Sequence, residues 1–178
     1  YLQFLFKLIK LPFLPTYNDF QFKVKHQLSP NSEILIIGLG AIDKFKLNES
    51  VNDNVTDEET IKRNRYILSN IPVQEQWNYT IGANYKHYSE KSMQQVVVSR
   101  NEWNNNAKKY FNNTNNPADL LLDYSSKEIE NKFRFENTST LNNNYRLNVG
   151  IGLENFKYTN TTFQQLANSS GVSDINFS

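Results

Sequence analysis

Glu128 and Glu130 are the residues whose types and spacing most invite a reaction. Two positions apart on an extended strand, they share one face with their α-carbons about 7 Å apart. That separation lies within the range that inverting glycosidases use for their two carboxyl groups. Lys132, Arg134 and Glu136 continue the same face, so the set is expected to be a charge ladder that neutralises itself. His26 and His87 are the two histidines, and there is no cysteine. Neither histidine has a partner at ligand spacing, so no metal site is indicated. "GLG" at 38–40 and "GIG" at 150–152 stop short of the dinucleotide fingerprint, because Asp43 and Asn155 stand where its third glycine belongs. No helical pattern follows either one. With no Ser/His/Asp set as well, the expectation is a chain that is not an enzyme, with no catalytic, cofactor-binding or metal residues.

The elements that would position these residues are strands. In "WNYTIGANYKHY" (77–88), Trp77, Tyr79, Ile81, Ala83 and Tyr85 alternate with Asn78, Thr80, Gly82, Asn84 and Lys86. Period-2 alternation marks a strand with one apolar and one polar face. "NDFQFKVKHQL" sets Phe20, Phe22, Val24 and Leu28 against Gln21, Lys23, Lys25 and Gln27. "EILIIGLGAIDKFKL" sets Leu35, Ile37, Leu39 and Ala41 against Ile36, Gly38 and Gly40, and "MQQVVVSRNEW" is the weakest of the set. "SSKEIENKFRFENTSTL" carries good helix formers, but charge on every second residue between Ile129 and Glu136 favours a strand. "YRLNVGIGLENFKY" completes six.

Composition agrees with an all-β chain. There are 27 Asn, 10 Tyr and 12 Phe; the rings favour strands and Asn favours turns. A net charge of +1, without a basic run interleaved with aromatics, argues against nucleic-acid binding. No stretch reaches the ~18 apolar residues of a membrane-spanning helix. "YLQFLFKLIKLPFLP" has no basic leader or small-residue cleavage site, and Leu5, Leu8 and Ile9 suit a short helix ended by Pro12. The absence of an initiating Met suggests a fragment of a longer protein. In "NDNVTDEETIKRNR" (52–65), Thr56 or Asp57 is expected to cap a short helix ahead of Glu58 and Glu59.

The links carry more information than the strands. "SPNS" (29–32), "SEKS" (89–92) and "NNN" (142–144) are tight turns, while 48–72 and 104–123 are long polar excursions. Short and long links alternate strictly, so an up-and-down sheet would gather every tight turn at one end. Outer-membrane barrels have this asymmetry, with short periplasmic turns and long extracellular loops. A spanning strand needs ~9–11 residues, and aromatic rings collect where the membrane meets water. Trp77 and Tyr79 would mark the extracellular boundary, and Tyr85 and Tyr88 the periplasmic one. A soluble sandwich or small barrel also produces alternation; a soluble or surface-attached ligand-binding module is therefore the alternative.

"LPFLPTYNDFQFKVKHQLSPNSEILIIGLGAIDKFKLN", "IPVQEQWNYTIGANYKHY", "VVVSRNEWNNNAKKY" and "SSKEIENKFRFEN" resemble the barrel of TonB-dependent outer-membrane receptors. The likeness covers roughly residues 1 to 160. It implies an all-β, antiparallel up-and-down transmembrane β-barrel segment, about six strands of a larger, 22-stranded barrel. Residues 1–178 would be part of that barrel domain, with the plug domain and the remaining strands absent from this chain. The implied function is active uptake of a scarce nutrient (siderophore-bound iron, cobalamin, saccharide or peptide) across the bacterial outer membrane. The partners would be the TonB complex, through the missing plug, and the lipid around the barrel. Gln21, Lys23, Lys25, Glu128, Glu130, Lys132, Arg134 and Glu136 would then face the lumen and meet plug or cargo. The two glycine pairs would leave room on that inward face beside the plug.

Overall fold

A computed structural model describes residues 2–168 and 171–177. Seven strands form one antiparallel sheet in strict sequence order: β1 (Phe13–Ser29), β2 (Ser32–Leu47), β3 (Val73–Tyr88), β4 (Ser92–Tyr110), β5 (Leu120–Thr140), β6 (Arg146–Asn168) and β7 (Gly171–Phe177). Six are long, at 16 to 23 residues, and correspond to the six alternating segments. The seven-residue β7, paired to the far end of β6, was not expected. One α-helix, α1 (Leu2–Leu8), precedes β1, and another, α2 (Glu58–Asn70), lies between β2 and β3.

Local chemistry explains the helices. Lys10 adopts a left-handed backbone at φ 51°, which lets Leu11 N–H reach Phe6 C=O at 3.0 Å and Lys10 N–H reach Lys7 C=O at 3.1 Å. This pair of bonds is the standard closure of a helix C-terminus, and Pro12 follows it. α2 begins where expected, with the Asp57 carboxylate accepting the Thr60 amide at 2.9 Å.

The register assigns every strand residue to one of two faces, since cross-strand partners lie on the same side. One face is apolar through its middle. Val24, Ile36, Ala83, Val98, Phe133 and Leu153 form one continuous row across six strands. The neighbouring row runs His26, Ile34, Tyr85, Val96, Phe135 and Ile151. The opposite face mixes Lys23, Lys25, Asn84, Ser99, Lys132 and Arg134 with the apolar Leu35, Ile37 and Leu39.

This corrects the expected use of the first glycine pair. Phe20 pairs with Gly40, and Phe22 with Gly38. Both glycines therefore sit on the apolar face, where the two rings lie over them and a Cβ would collide with each ring. Gly150 and Gly152 pair with Glu136 and Arg134 and do lie on the polar face.

The links are also redrawn. The tight turns at 30–31, 89–91 and 141–145 share one end of the sheet, and the long connection 48–72 stands at the other. The second excursion is shorter than expected, because β4 runs to Tyr110 and β5 starts at Leu120. Asn104, Asn105 and Asn106 are ladder residues opposite Trp77, Gln76 and Glu75.

Among the described residues the sheet has no core of its own. Among the described residues, Val51 and Ala107 are the hydrophobic side chains that are buried. Phe20, Val24, Ile151 and Leu153 are each more than half exposed. The accessible surface is 12745 Å², against about 8,900 Å² for a compact monomer of 20.8 kDa.

Candidate functional site

The residues expected to face a lumen do share one face. Gln21, Lys23 and Lys25 lie on β1, and Glu128, Glu130, Lys132, Arg134 and Glu136 on β5. Three strands separate the two groups, so at ~4.8 Å per strand they stand about 19 Å apart and do not meet. Several of these charges are paired locally. Lys25 pairs with Glu33 at 2.7 Å, and the Tyr88 hydroxyl donates to the same carboxylate at 3.3 Å. Lys132 reaches Glu130 at 3.0 Å and Glu154 at 3.7 Å, while Arg134 meets Glu136 at 3.6 Å. Glu130, one of the two carboxylates that invited a glycosidase reading, is thus a rung of a charge ladder. Exposed pairs of this type contribute little stability.

A second cluster occupies the long-loop end. Lys109 is buried, and its ammonium donates to Leu68 C=O at 2.7 Å, Ile71 C=O at 3.1 Å and Asn113 Oδ1 at 2.6 Å. A cation is well placed at those final helix carbonyls. One side chain therefore ties α2 and the 111–119 link to β4. Asn48 donates to Leu11 C=O at 2.7 Å, and Asn64 to Asn52 Oδ1 at 2.9 Å. Asp57 accepts both the hydroxyl and the amide of Thr60, which hold its carboxyl below the ordinary value. Between the two links lies a cleft of about 270 Å³, lined by Lys46, Glu49, Val73, Lys108, Tyr110 and Asn115 among others.

A third cluster was missed from sequence. On the apolar face, toward the long-loop end, Glu102 is 6% exposed and receives three partners. Arg100 Nη2 lies at 2.9 Å, Lys127 Nζ at 2.5 Å and the Tyr79 hydroxyl at 3.0 Å. Arg100 also donates from Nε to the Tyr79 oxygen at 3.0 Å and from Nη1 to Asn131 at 3.1 Å. Arg100 and Glu102 share strand parity with Val96 and Val98, and that breach of the apolar stripe was the available signal.

His87 exchanges a hydrogen bond with Ser32 at 2.8 Å near the Ser29–Ser32 turn, and His26 lies in an apolar row. Among the described residues no group of His, Cys, Asp or Glu could hold a metal ion. Comparison with family models, curated proteins and solved structures finds no match.

Proposed function

We propose that the chain is a segment of the β-barrel of a TonB-dependent outer-membrane receptor that takes up a scarce nutrient. The observation that carries this reading is the apolar belt. On β3 it runs from Trp77 to Tyr85, nine residues, the length a tilted strand needs to cross hydrocarbon. The Trp77 and Tyr79 rings stack at 6.2 Å at its long-loop border, and Tyr85 stands near its tight-turn border.

The belt also climbs. Its centre is near Phe22 on β1 but near Ile151 on β6, and Ile151 is level in the register with His26. That is a shift of four residues (26 − 22) across the sheet. A belt of constant height on strands tilted to a barrel axis must climb in this way. A soluble sandwich needs a second layer over its apolar face, and no second sheet lies there among the described residues.

The resemblance in the strand phrases supports the receptor family, with the plug and the other strands of a 22-stranded barrel supplied by the rest of the protein. In this reading the charge ladders face the plug, the cleft beside Lys46 and Glu49 belongs to the cargo-binding end, and no residue performs catalysis. TonB would act through the plug.

Heat-modifiable mobility tests the membrane reading. The full-length protein extracted in detergent is expected to run faster on SDS gels unboiled than boiled. Equal mobility together with solubility in plain buffer would instead favour the soluble ligand-binding module.

A further inference from the structure

We propose that the polar face of the sheet carries a binding site for an organic cation, an alkylated or quaternary ammonium group, centred on Glu128 between Trp103 and Tyr158. As a binding site it needs only the sheet, while its role as a cargo site rests on the receptor reading. The register joins β4, β5 and β6 here in one row, Trp103 to Glu128 to Tyr158. Direct cross-strand partners hold their Cβ atoms about 5 Å apart, so the carboxylate stands between two aromatic residues. Trp103 is 42% exposed and Tyr158 49% exposed, which leaves both rings open to a ligand.

Glu128 is the carboxylate that the β5 ladder leaves over. Lys127 goes to Glu102 on the opposite face, and Lys132 goes to Glu130 and Glu154. Among the described residues Glu128 has no ion pair. Its surroundings add negative charge. Three adjacent rows of this face run from Gln21 to Phe156, from Asp19 to Tyr158 and from Tyr17 to Asn160. They hold Asp19, Asp43, Glu128 and Glu130, with no lysine or arginine. The Asp43 carboxylate accepts from Gln76 at 2.9 Å through one oxygen, and its other oxygen is buried without a partner among the described residues. Lys23, Lys25, Lys132 and Arg134 stand in the rows nearer the tight turns, and Lys109 is bound to carbonyls at the end of α2. The half of the face toward the long loops is therefore anionic. Two further exposed rings, Tyr17 and Phe156, lie in the same three rows.

This chemistry favours a bulky, weakly hydrated cation. A metal ion needs several oxygens converging on one point, and among the described residues no acidic group is placed to hold one. A neutral sugar could stack on the rings but would leave the negative field unanswered, and an anion would be repelled by it. A quaternary ammonium group answers both features, because the face of an aromatic ring and the carboxylate each attract positive charge.

The test is isothermal titration calorimetry on the full-length protein in uncharged detergent. The ligands are choline, the uncharged alcohol in which carbon replaces the choline nitrogen, and maltose. Choline is expected to bind about tenfold or more tightly than the alcohol, the effect of a partly desolvated cation over a ring and beside a carboxylate. Trp103→Leu and Glu128→Gln should each weaken choline binding about fivefold, because each removes one attraction and keeps the bulk. Tyr158→Leu should weaken it about threefold, since a tyrosine ring attracts cations less than a tryptophan ring. Glu75→Gln, the same loss of charge on the opposite face, should change it less than about twofold. Equal binding of choline and the alcohol, no binding of choline, or an affinity that ignores Trp103→Leu and Glu128→Gln overturns the cation site. Maltose that displaces choline, and is itself lost in the same variants, assigns the rings to a saccharide and also overturns it. Heat-modifiable mobility is recorded for every variant. A heat-modifiable protein that fails these tests loses the cation site and keeps the membrane reading. A protein that binds choline as described without heat-modifiable mobility keeps the site and loses the receptor reading.

Discussion

Two rows of side chains on the same face of the same sheet differ in every member. Val24, Ile36, Ala83, Val98, Phe133 and Leu153 form one, and Thr16, Lys44, Glu75, Asn106, Ser125 and Thr161 the other, eight residues nearer the long-loop end on β1. A face that packed on a soluble core would stay apolar along the strands. This one is apolar over a belt and then polar in the Thr16 to Thr161 row while the strands continue. On the proposed membrane reading, the boundary belongs to the surroundings and not to the sheet. A bilayer ~30 Å thick imposes such a boundary, because outside it every side chain meets water.

Substitutions in the two rows should separate most sharply. Val98→Arg places a charge in the belt and is expected to destabilise the folded barrel in lipid by about 2–4 kcal/mol. Asn106→Arg on the same strand should change stability by no more than about 0.5 kcal/mol. Urea titration of the full-length protein in vesicles measures both, and equal costs would erase the comparison. Next in size is Lys109→Met, which removes three hydrogen bonds at the long-loop end. Amide exchange in α2 should accelerate by an amount equivalent to about 1–3 kcal/mol, with exchange in the belt strands unchanged.

A smaller effect is expected at Gly38. Ala there would push the Phe22 ring off the backbone it covers, costing about 1 kcal/mol, at the low end for overpacking because the ring is half exposed and can swing. The smallest effect is a pH dependence of α2. Asp57 has a lowered folded-state pKa, so its contribution is complete above the ordinary value of 3.8 and is lost as pH falls through the folded-state value. Helix content should fall in acid for the native chain and vary less for Asp57→Asn.

The strands and tight turns were legible because alternation and turn chemistry are local. The Asp57 cap was legible for the same reason. β2 was not: Ile34 and Ile36 are apolar on one face, and Leu35, Ile37 and Leu39 on the other. Period 2 therefore leaves its orientation undecided, and pairing with Phe22 and Ile81 sets it. The run of Asn from 104 to 106 suggested a loop by propensity, and pairing on both sides overrides that preference. The charge ladder of β5 was visible from spacing alone. The Glu102 network was not, since it joins residues from β3, β4 and β5 that only the register brings together.

The most direct measurement uses a property of the chain itself, its lack of cysteine. Ile81→Cys, Asn106→Cys and Lys132→Cys in the full-length protein, each carrying a nitroxide in lipid nanodiscs, report whether oxygen or a water-soluble nickel chelate reaches the label. Ile81 is predicted to be open to oxygen and closed to the chelate, with Asn106 and Lys132 open to the chelate. A chelate-accessible Ile81 would contradict a lipid-facing belt.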